Sequence, residues 1–462
     1  MKPSPFSLLT KTAATMAAVL ALGASLAQAQ LPAGSTMGIA NGTVANSSRV
    51  TMTDPGNHIY VLQSSSNLTS WTDVETWKVH NGSFRRQLTF NPSTTSRLFY
   101  RAFYDPARAD IQSTTANALL LPPVPANYAN PALPPSFLVQ PILGQDNTPA
   151  GNPVTNAAAT LGRALFYDKR LSLNQTISCA SCHQREHGFS DPRQFSVGFE
   201  GGLTGRNSMG LANARWYQRR SFFWDERAAT LEAQVLQPIQ NAVEMGMTLP
   251  ALVTRLSAEP YYTTLFTNAF GSATVTSDRI SRALAQFVRS IVSTQTKFDA
   301  GAASGFANFT PEENTGRNIF NASNLGNCAA CHGTDNFVPG PNINNNGLEN
   351  PYVDKGVGAL TGLPQDEGLF KVPSLRNIEL TGPYMHDGRF TTLEQVVEFY
   401  NSGVVNHPNL SPPLRNPGPG GTPRRLNLTV AQKAALVAFL RTLTDPNIAT
   451  DVKWSDPFNY GD

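Results

Sequence analysis

All four cysteines of this 462-residue chain lie in two copies of one pentapeptide, CASCH (179–183) and CAACH (328–332). In an exported chain, paired cysteines can form disulfides, a tetrahedral zinc site or a redox-active dithiol. None of these needs a histidine directly after each pair. Covalent haem does need it, because two thiols form thioethers with the vinyl groups while the adjacent imidazole reaches the iron from the same side. The spacing therefore predicts two covalently bound haem c groups.

The sequence around the two motifs repeats as well. GRALF (162–166) precedes the first motif and GRNIF (316–320) precedes the second, while ALAQFVRSI (283–291) is echoed by ALVAFLRTL (435–443). The two later segments carry apolar residues at positions i, i+3, i+4 and i+7, as amphipathic helices do. The repeat predicts two homologous cytochrome-like halves. Their haem-attachment residues are Cys179, Cys182, His183, Cys328, Cys331 and His332.

The fold class predicted from the whole chain is mainly α, with two tandem cytochrome c-like haem domains preceded by a small β-rich module. Short β-prone runs at 59–62, 84–90 and 98–104 indicate strands in the module, and Asn81-Gly82 predicts a hairpin turn. The predicted divisions are a signal peptide (1–29), the β-module (31–105), a proline-rich linker (106–135), the N-terminal haem domain (136–300), the C-terminal haem domain (309–446) and a tail (447–462).

Charge and targeting signals limit where the protein works. The formal net charge is +3 with no Lys/Arg-rich run, so nucleic-acid binding is not expected. Lys2 and Lys11, an apolar stretch and the small-residue site at 27–29 together predict a secretory signal peptide. The apolar stretch is too short to span a bilayer, so no membrane insertion is expected. We expect a soluble protein that is periplasmic or otherwise exported.

Residues 135–446 resemble the bacterial dihaem cytochrome c peroxidases and their relatives of the MauG type. The matching landmarks, in chain order, are LGRALFYDKRLS, CASCH, GRNSMG, FFWDERAATLEAQ, EMG, CAACH, FKVPSLRN and TGPYMHDGRFTTLEQVVEFYN. The resemblance implies a mostly helical fold with a peroxidatic haem on His183 and an electron-transfer haem on His332. It also implies hydrogen peroxide as the oxidant.

Three further residues match the family's catalytic positions. Glu244, in EMG, matches the acid/base that moves a proton between the two peroxide oxygens. Gln234 matches a glutamine that lines the same pocket, and Trp224 matches a tryptophan between the haems. Taken alone, Glu244 would be interpreted as a solvated residue and Trp224 as a core aromatic. Their places in the family pattern favour function.

Position 199 bears on whether the first iron has an open coordination site. In relatives that need reductive activation, a histidine sixteen residues past the haem histidine blocks the iron. Here that residue is Phe199, which cannot bind iron. His187 lies only one turn beyond the haem histidine, so we expect it to stay on the proximal side in a structural role. The sequence therefore predicts a first haem that is open without activation, and we expect the neighbouring Glu200 to be exposed.

The resemblance also implies a sixth ligand for the second haem and a calcium site. Tyr400 aligns with a ligand that is methionine in ordinary peroxidases and tyrosine in the MauG type, while Met385 is a competitor because Met/His ligation is common in cytochromes c. We prefer Tyr400, on the alignment. A calcium ion between the halves would be held by the Asn207 side chain and by the backbone carbonyls of Thr381 and Pro383.

Together these assignments predict an exported dihaem c-type peroxidase that reduces hydrogen peroxide with electrons from a small cytochrome c or copper protein. The alternative is a MauG-like enzyme that withdraws electrons from a protein or organic substrate, towards which Phe199 and Tyr400 lean. The non-enzyme alternative is a dihaem electron carrier, which would have six-coordinate iron at both haems and no use for Glu244. The resemblance further suggests a possible homodimer.

Overall fold

The computed structural model describes residues 8–11, 16–19, 36–41, 47–89, 99–104, 119–337, 343–418 and 420–458. These residues form a mainly helical protein with two small antiparallel sheets near the N-terminus, one of two strands and one of four. The strands are β1 (Leu8–Lys11), β2 (Met16–Val19), β3 (Thr36–Asn41), β4 (Ser47–Ser65), β5 (Thr72–Thr89) and β6 (Phe99–Tyr104).

The helices alternate with long irregular loops. They are α1 (Ile142–Gln145), α2 (Asn156–Tyr167), α3 (Cys179–Cys182), α4 (Leu231–Gln234), α5 (Gln237–Gln240), α6 (Leu249–Ser257), α7 (Pro260–Phe270), α8 (Ser277–Arg289), α9 (Lys297–Ala302), α10 (Pro311–Asn321), α11 (Gly358–Thr361), α12 (Leu393–Glu398) and α13 (Val430–Arg441). In the described ranges, no helix has the length and apolar character needed to cross a membrane.

The four-stranded sheet is built around the long strands β4 and β5. These pair antiparallel, while β3 and β6 pair with opposite ends of β4 along its other edge. The three β-prone runs fall in β4, β5 and β6, but the predicted turn at Asn81-Gly82 is wrong. Gly82 lies inside β5 opposite Asp54, where the register shifts between Asp54 and Asn57. The extra residue of this β-bulge lies on β4, where two residues face Asn81 alone, and the connection between the strands falls at 66–71 instead.

The two repeated sequence pairs form two matching helix crossings. A Cβ built on Gly162 of α2 would lie 2.0 Å from the backbone oxygen of Ala283 in α8. A Cβ on Gly316 of α10 would lie 1.9 Å from the backbone oxygen of Ala435 in α13. Each crossing is thus close enough that only glycine fits at the contact, which brings the helix before each haem motif against a later helix. The division of the chain into two tandem haem domains stays a prediction.

The larger hydrophobic core gathers residues from α2, α7 and α8, and it also contains residues from the end of the chain. Trp454 is 2% exposed, and its Nε1 donates to the Ser290 carbonyl at 3.1 Å. The Ser455 carbonyl accepts from Arg163 at 2.7 Å, and Phe458 forms an antiparallel bridge with Leu119. The last described residues therefore complete the core around α2 and α8.

The second core lies between α10 and α13 and is rich in phenylalanine. Phe298, Phe320 and Phe337 surround Phe439, with ring centroids 5.1 to 6.3 Å from it. A third, smaller cluster includes residues that directly follow α12. Its buried members are Leu348, Tyr352, Phe370, Phe399, Val404 and Leu410. This third cluster carries several of the candidate site residues.

Candidate active site

The first CxxCH motif forms α3 and the residue after it. Ser178 and Ser181 cap this short helix reciprocally, which fixes the motif at its start. His183 follows, and its ring Nδ1 lies 3.0 Å from the backbone oxygens of both Phe189 and Met209. Because a ring nitrogen facing two carbonyls acts as the donor, Nε2 is left free to bind a metal.

The second motif has the same local geometry. Cys328 begins a short 3₁₀ turn, and the His332 amide donates to the Cys328 carbonyl at 2.9 Å, as the His183 amide does to Cys179. His332 Nδ1 is buried without a hydrogen bond of ordinary geometry. Burial lowers the pKa of His332 to about 4, against the opposing effect of the Phe337 and Pro373 carbonyls. The ring is therefore neutral, as an iron ligand must be.

The chemistry of the cysteines fits thioether attachment. All four are unpaired, and burial raises the pKa of Cys179 and Cys328 to about 12 and that of Cys182 and Cys331 to about 11. Across the part of the chain with described positions, no group of three or more His, Cys, Asp or Glu side chains could hold a metal ion. In the structure neither pair is joined as a disulfide.

A cavity of about 260 Å³ lies at the second motif. Its lining includes Cys331, His332, Trp224, Met385 and Tyr400, so the attachment residues and both candidate sixth ligands face one space. The predicted haem fits this donor set, which offers two thiols, a neutral imidazole and a facing oxygen or sulfur atom.

Glu244 lies beside the first motif. Burial is the main cause of the raised pKa of Cys179 and Cys182, and the charge of Glu244 adds to it in both cases, so Glu244 lies near the motif. Burial raises the pKa of Glu244 itself, and the nearby Arg227 opposes that effect. The Glu244 amide is held by the Asn241 side chain at 3.1 Å, in the turn that follows α5.

Phe199 packs directly on the Glu244 turn. Its amide donates to the Glu244 carbonyl at 3.0 Å, and its ring fills the space where a Cβ on Gly246 would lie, 2.4 Å away. Gly246 has a φ of +64°, which favours glycine and lets the ring approach. The residue at the position of the blocking histidine is therefore a buried hydrocarbon ring next to the candidate base, and the neighbouring Glu200 is exposed.

Gln234 is the last residue of α4. The Thr230 side chain caps this helix, and Glu232 pairs with the buried Arg289 at 2.6 Å, so the direction of the helix is fixed. Gln234 itself is partly exposed. Its place in the pocket of Glu244 stays a prediction.

Trp224 contacts the surroundings of both haem motifs. Its Nε1 donates to the Asn207 carbonyl at 2.8 Å, and two residues later the Met209 carbonyl faces the His183 ring. On its other side, Trp224 packs on the third hydrophobic cluster together with Tyr400. The indole therefore lies between the two candidate haem sites.

Tyr400 and Met385 both face the second motif and are linked by Asn346. The Asn346 Nδ2 donates to the Met385 sulfur at 3.4 Å. Burial raises the pKa of Tyr400, and the Asn346 side chain lies close enough to the phenol to oppose that effect. Tyr400 lies in a π-helical turn at Phe399–Gly403, a feature frequent at functional sites. Met385 has a φ of +74°, which is uncommon for a non-glycine residue.

The three predicted calcium ligands, Asn207, Thr381 and Pro383, line the same cavity. The Asn207 side-chain nitrogen donates to backbone carbonyls, the nearest being that of Arg193 at 3.0 Å. Because the nitrogen is engaged, the side-chain oxygen is the atom left for a cation. The donor set is all oxygen, which suits calcium.

Sequence patterns did not predict three residues of this region: Asn346, Tyr217 and Lys371. Tyr217 and Lys371 line the cavity, and the Lys371 amide donates to the Trp224 carbonyl at 2.7 Å. Asn346 lies in an Asn-rich segment whose composition predicts only a polar loop. The FKVPSLRN landmark contains Lys371, but the landmark itself gives no chemical role to the lysine.

Comparisons with known proteins agree with this geometry. Residues 156–305 match the family model for di-haem cytochrome c peroxidase. The methylamine utilization protein MauG of Methylophilus methylotrophus is 34% identical over 295 residues, which cover 64% of this chain and 84% of that protein. The cytochrome c551 peroxidase of Nitrosomonas europaea is 36% identical over 290 residues, which cover 62% of this chain and 79% of that enzyme.

A solved structure shows the same similarity. The crystal structure of a MauG-like protein associated with microbial copper homeostasis superposes with a TM-score of 0.59 at 34% identity, covering 67% of this chain and 95% of that chain. The relatives are thus covered over most of their own length. The chain belongs to the dihaem cytochrome c peroxidase and MauG family.

Proposed function

We propose that the protein is an exported enzyme that reduces hydrogen peroxide at the His183 site with electrons from a small cytochrome c or copper protein. The observation that carries this proposal is the pairing of Glu244 with Phe199 beside the first motif. A partly buried carboxylate with a raised pKa stands where proton transfer is needed, and the neighbouring ring cannot block an iron.

Bound haem would supply the redox-active iron at which peroxide is reduced, held by Cys179, Cys182 and His183 at the first site and by Cys328, Cys331 and His332 at the second. Glu244 would take the proton from one peroxide oxygen and return it to the other, so that water can leave. Its raised pKa helps the second step, because a carboxyl group that holds a proton more tightly exists as an acid nearer to neutral pH. Gln234 would orient peroxide by hydrogen bonding.

Electrons must reach the first site from the second. Trp224 suits this role because it packs with Tyr400 on one side and touches the segment that orients His183 on the other. We also propose that calcium bound by Asn207, Thr381 and Pro383 holds this segment in place. Tyr400 is our proposed sixth ligand of the second haem, with Met385 as the competitor.

A MauG-like activity is the second candidate function. Phe199 and Tyr400 favour it, since an open first site would admit peroxide without prior reduction and a phenolate ligand at the second would stabilise oxidised iron. In that case peroxide would oxidise the haem pair, and the electrons would come from a protein or organic substrate.

The first test is the Glu244→Gln substitution. The amide keeps the size of the side chain but cannot accept the proton, so the rate of peroxide reduction should fall about 10²–10⁴-fold with haem content unchanged. Glu200→Gln is the matched control, because that carboxylate is exposed and adjoins Phe199. Peroxide reduction by Glu244→Gln at the wild-type rate would overturn the role of Glu244, and a wild-type holoprotein inert to peroxide would favour a simple electron carrier.

A further inference from the structure

A buried tyrosine–carboxylate pair lies next to Trp224 and is not used by the function proposed above. Tyr217 is 3% exposed and lines the cavity that contains Trp224 and His332. Its hydroxyl donates a short hydrogen bond to the Glu226 carboxylate. Burial, with Glu226 as the next cause, raises the pKa of Tyr217, so the resting phenol keeps its proton.

Glu226 is held in place against its own backbone preference. Its φ is +57°, in the left-handed region that costs an ordinary residue about 1 kcal/mol. The side chain is 6% exposed and accepts from the Arg219 Nε at 2.6 and 2.8 Å in addition to the Tyr217 hydroxyl. Strained backbone of this kind persists where surrounding contacts require it, and it clusters at functional sites.

A positive charge lies over the tyrosine ring. The Lys371 Nζ is 3.8 Å from the ring centroid of Tyr217 and 5.0 Å from that of Phe222. An ammonium group at this distance opposes the removal of an electron from the ring, because the resulting cation radical would face a like charge. The opposition disappears if the phenol proton leaves with the electron. Glu226 is the acceptor already in hydrogen-bond contact with that proton.

We propose that Tyr217 is a redox-active residue that couples electron loss to proton transfer. Resting on the function proposed above, the step begins when hydrogen peroxide has oxidised the haem pair. Tyr217 then gives one electron to that pair while its phenol proton moves to Glu226, leaving a neutral tyrosyl radical and a protonated carboxyl group. A one-electron donor at the surface returns the electron, and Glu226 returns the proton.

The position of the pair suits oxidation of an electron-rich aromatic substrate at the protein surface. The residues just after Tyr217 lead to the surface, where Arg220 is exposed. The pair itself is buried, but the Arg219 side chain that binds Glu226 is 33% exposed, so one residue separates the pair from the surface. Radical formation at Tyr217 would let a substrate too large for the cavity be oxidised without entering it.

Tyr262 provides a matched comparison. Its hydroxyl donates to the Asp168 carboxylate at 2.7 Å and the residue is fully buried, so it repeats the tyrosine–carboxylate contact. It lies on α7 in the first core and is absent from the cavity lining. A buried phenol with a proton acceptor but without access to the cavity should form no radical.

The test is electron paramagnetic resonance of the freeze-quenched holoprotein after one equivalent of peroxide. Wild type should show a tyrosyl radical whose signal narrows when the chain carries ring-deuterated tyrosine. Tyr217→Phe should lose the signal and Tyr262→Phe should keep it. Glu226→Gln should lower the radical yield by about tenfold or more, because the amide cannot take the proton. Haem content and circular dichroism establish that each variant is folded.

The outcomes separate this proposal from the function on which it rests. A wild type that consumes peroxide but forms no tyrosyl radical overturns the role of Tyr217 alone. The same conclusion follows if the signal persists in Tyr217→Phe, or if Glu226→Gln gives the wild-type yield. A wild type that does not consume peroxide overturns the proposed function. If Tyr217→Phe fails to fold, two measurements still test the proposal. The narrowing with deuterated tyrosine shows whether the radical is on a tyrosine, and the radical yield of Glu226→Gln shows whether Glu226 takes the proton.

Discussion

Two opposing effects set the pKa of the Glu244 carboxyl group. Burial raises the pKa of its carboxyl group, and the Arg227 guanidinium lowers it. Arg227 is itself fixed, since it pairs with Asp225 at 2.9 Å and its guanidinium stacks 3.5 Å from the ring centroid of Phe223. The pKa of Glu244 therefore depends on one identifiable cation, Arg227.

This balance predicts the acidic side of the pH profile. The base form of Glu244 is lost as pH falls through its raised pKa, so peroxide reactivity should fall at a higher pH than for an exposed glutamate. Arg227→Gln removes the opposing charge and should move this acidic limb to still higher pH. The measurement is the second-order rate of reaction with peroxide from about pH 4 to 8.

Arg220→Gln is the control for this prediction, because Arg220 is exposed and does not act on Glu244. Its profile should match that of wild type. If the acidic limb of the Arg227→Gln profile lies at the same pH as in wild type, or at a lower pH, the electrostatic account is contradicted.

Asn346 organises the other site. Its Nδ2 donates to the Met385 sulfur, its side chain lies near the Tyr400 phenol, and its side-chain oxygen accepts from the Tyr352 hydroxyl at 3.2 Å. Asn346→Leu keeps the approximate volume but removes these contacts, so the electron paramagnetic resonance signal of the second haem should change while that of the first stays constant. Asn350→Leu, on an exposed residue of the same segment, should alter neither signal. An unchanged second signal in Asn346→Leu would refute this role.

At the scale of elements, the sequence repeat corresponds to a packing requirement. The repeated glycines mark the points where α2 meets α8 and α10 meets α13, with a distance near 2 Å from a built Cβ to a backbone oxygen in each case. A backbone oxygen cannot move aside as the end of a side chain can. The glycine in each repeat is therefore fixed by the neighbouring helix.

Gly162→Ala should accordingly destabilise the protein, although alanine is the better helix former by about 1 kcal/mol. Overpacking against Ala283 should reduce the free energy of unfolding by about 1–3 kcal/mol net. The measurement is urea unfolding of the holoprotein followed by circular dichroism. Gly151→Ala is the control, because nothing lies within 4 Å of a Cβ built there. Equal stability of the two variants would show that the crossing can widen.

Sequence patterns predicted the elements with local signals and missed those that depend on contacts through space. The repeated segments at 283–291 and 435–443 fall largely in α8 and α13, because helical periodicity is local. The turn predicted at Asn81-Gly82 failed because β5 continues through these residues and pairs with β4 on both sides of them. The contacts of Tyr217 with Glu226 and of Asn346 with Tyr400 follow no periodicity, so only the folded chain reveals them.

On the scale of the whole molecule, the two ends of the helical region meet. Leu119 pairs with Phe458, and the Tyr128 hydroxyl donates to the Lys453 carbonyl at 2.6 Å. The segment predicted as a tail thus packs against the beginning of the region and against the core of the first motif. Ile448 is 0% and Trp454 2% exposed in this segment.

Trp454→Ala should therefore act on the distant first half of the chain. It removes a buried indole and leaves the Ser290 carbonyl without its donor, so the free energy of unfolding should fall by about 3–5 kcal/mol. Val452→Ala, two residues earlier and 75% exposed, should have little effect. Urea unfolding followed at the optical bands of the first haem measures the change. A loss confined to the second haem would contradict this packing.

The position of Trp454 also has a consequence for the order in which the chain is made. The tryptophan lies 164 residues after Ser290, whose carbonyl it binds. At a synthesis rate of about 5–20 residues per second, the ribosome needs roughly 10–30 s to reach Trp454 after passing that partner. During this interval the nascent first half has an incomplete core. It cannot reach its final packing before Trp454 has been translated, so the two CxxCH segments emerge on a chain whose first core is still incomplete.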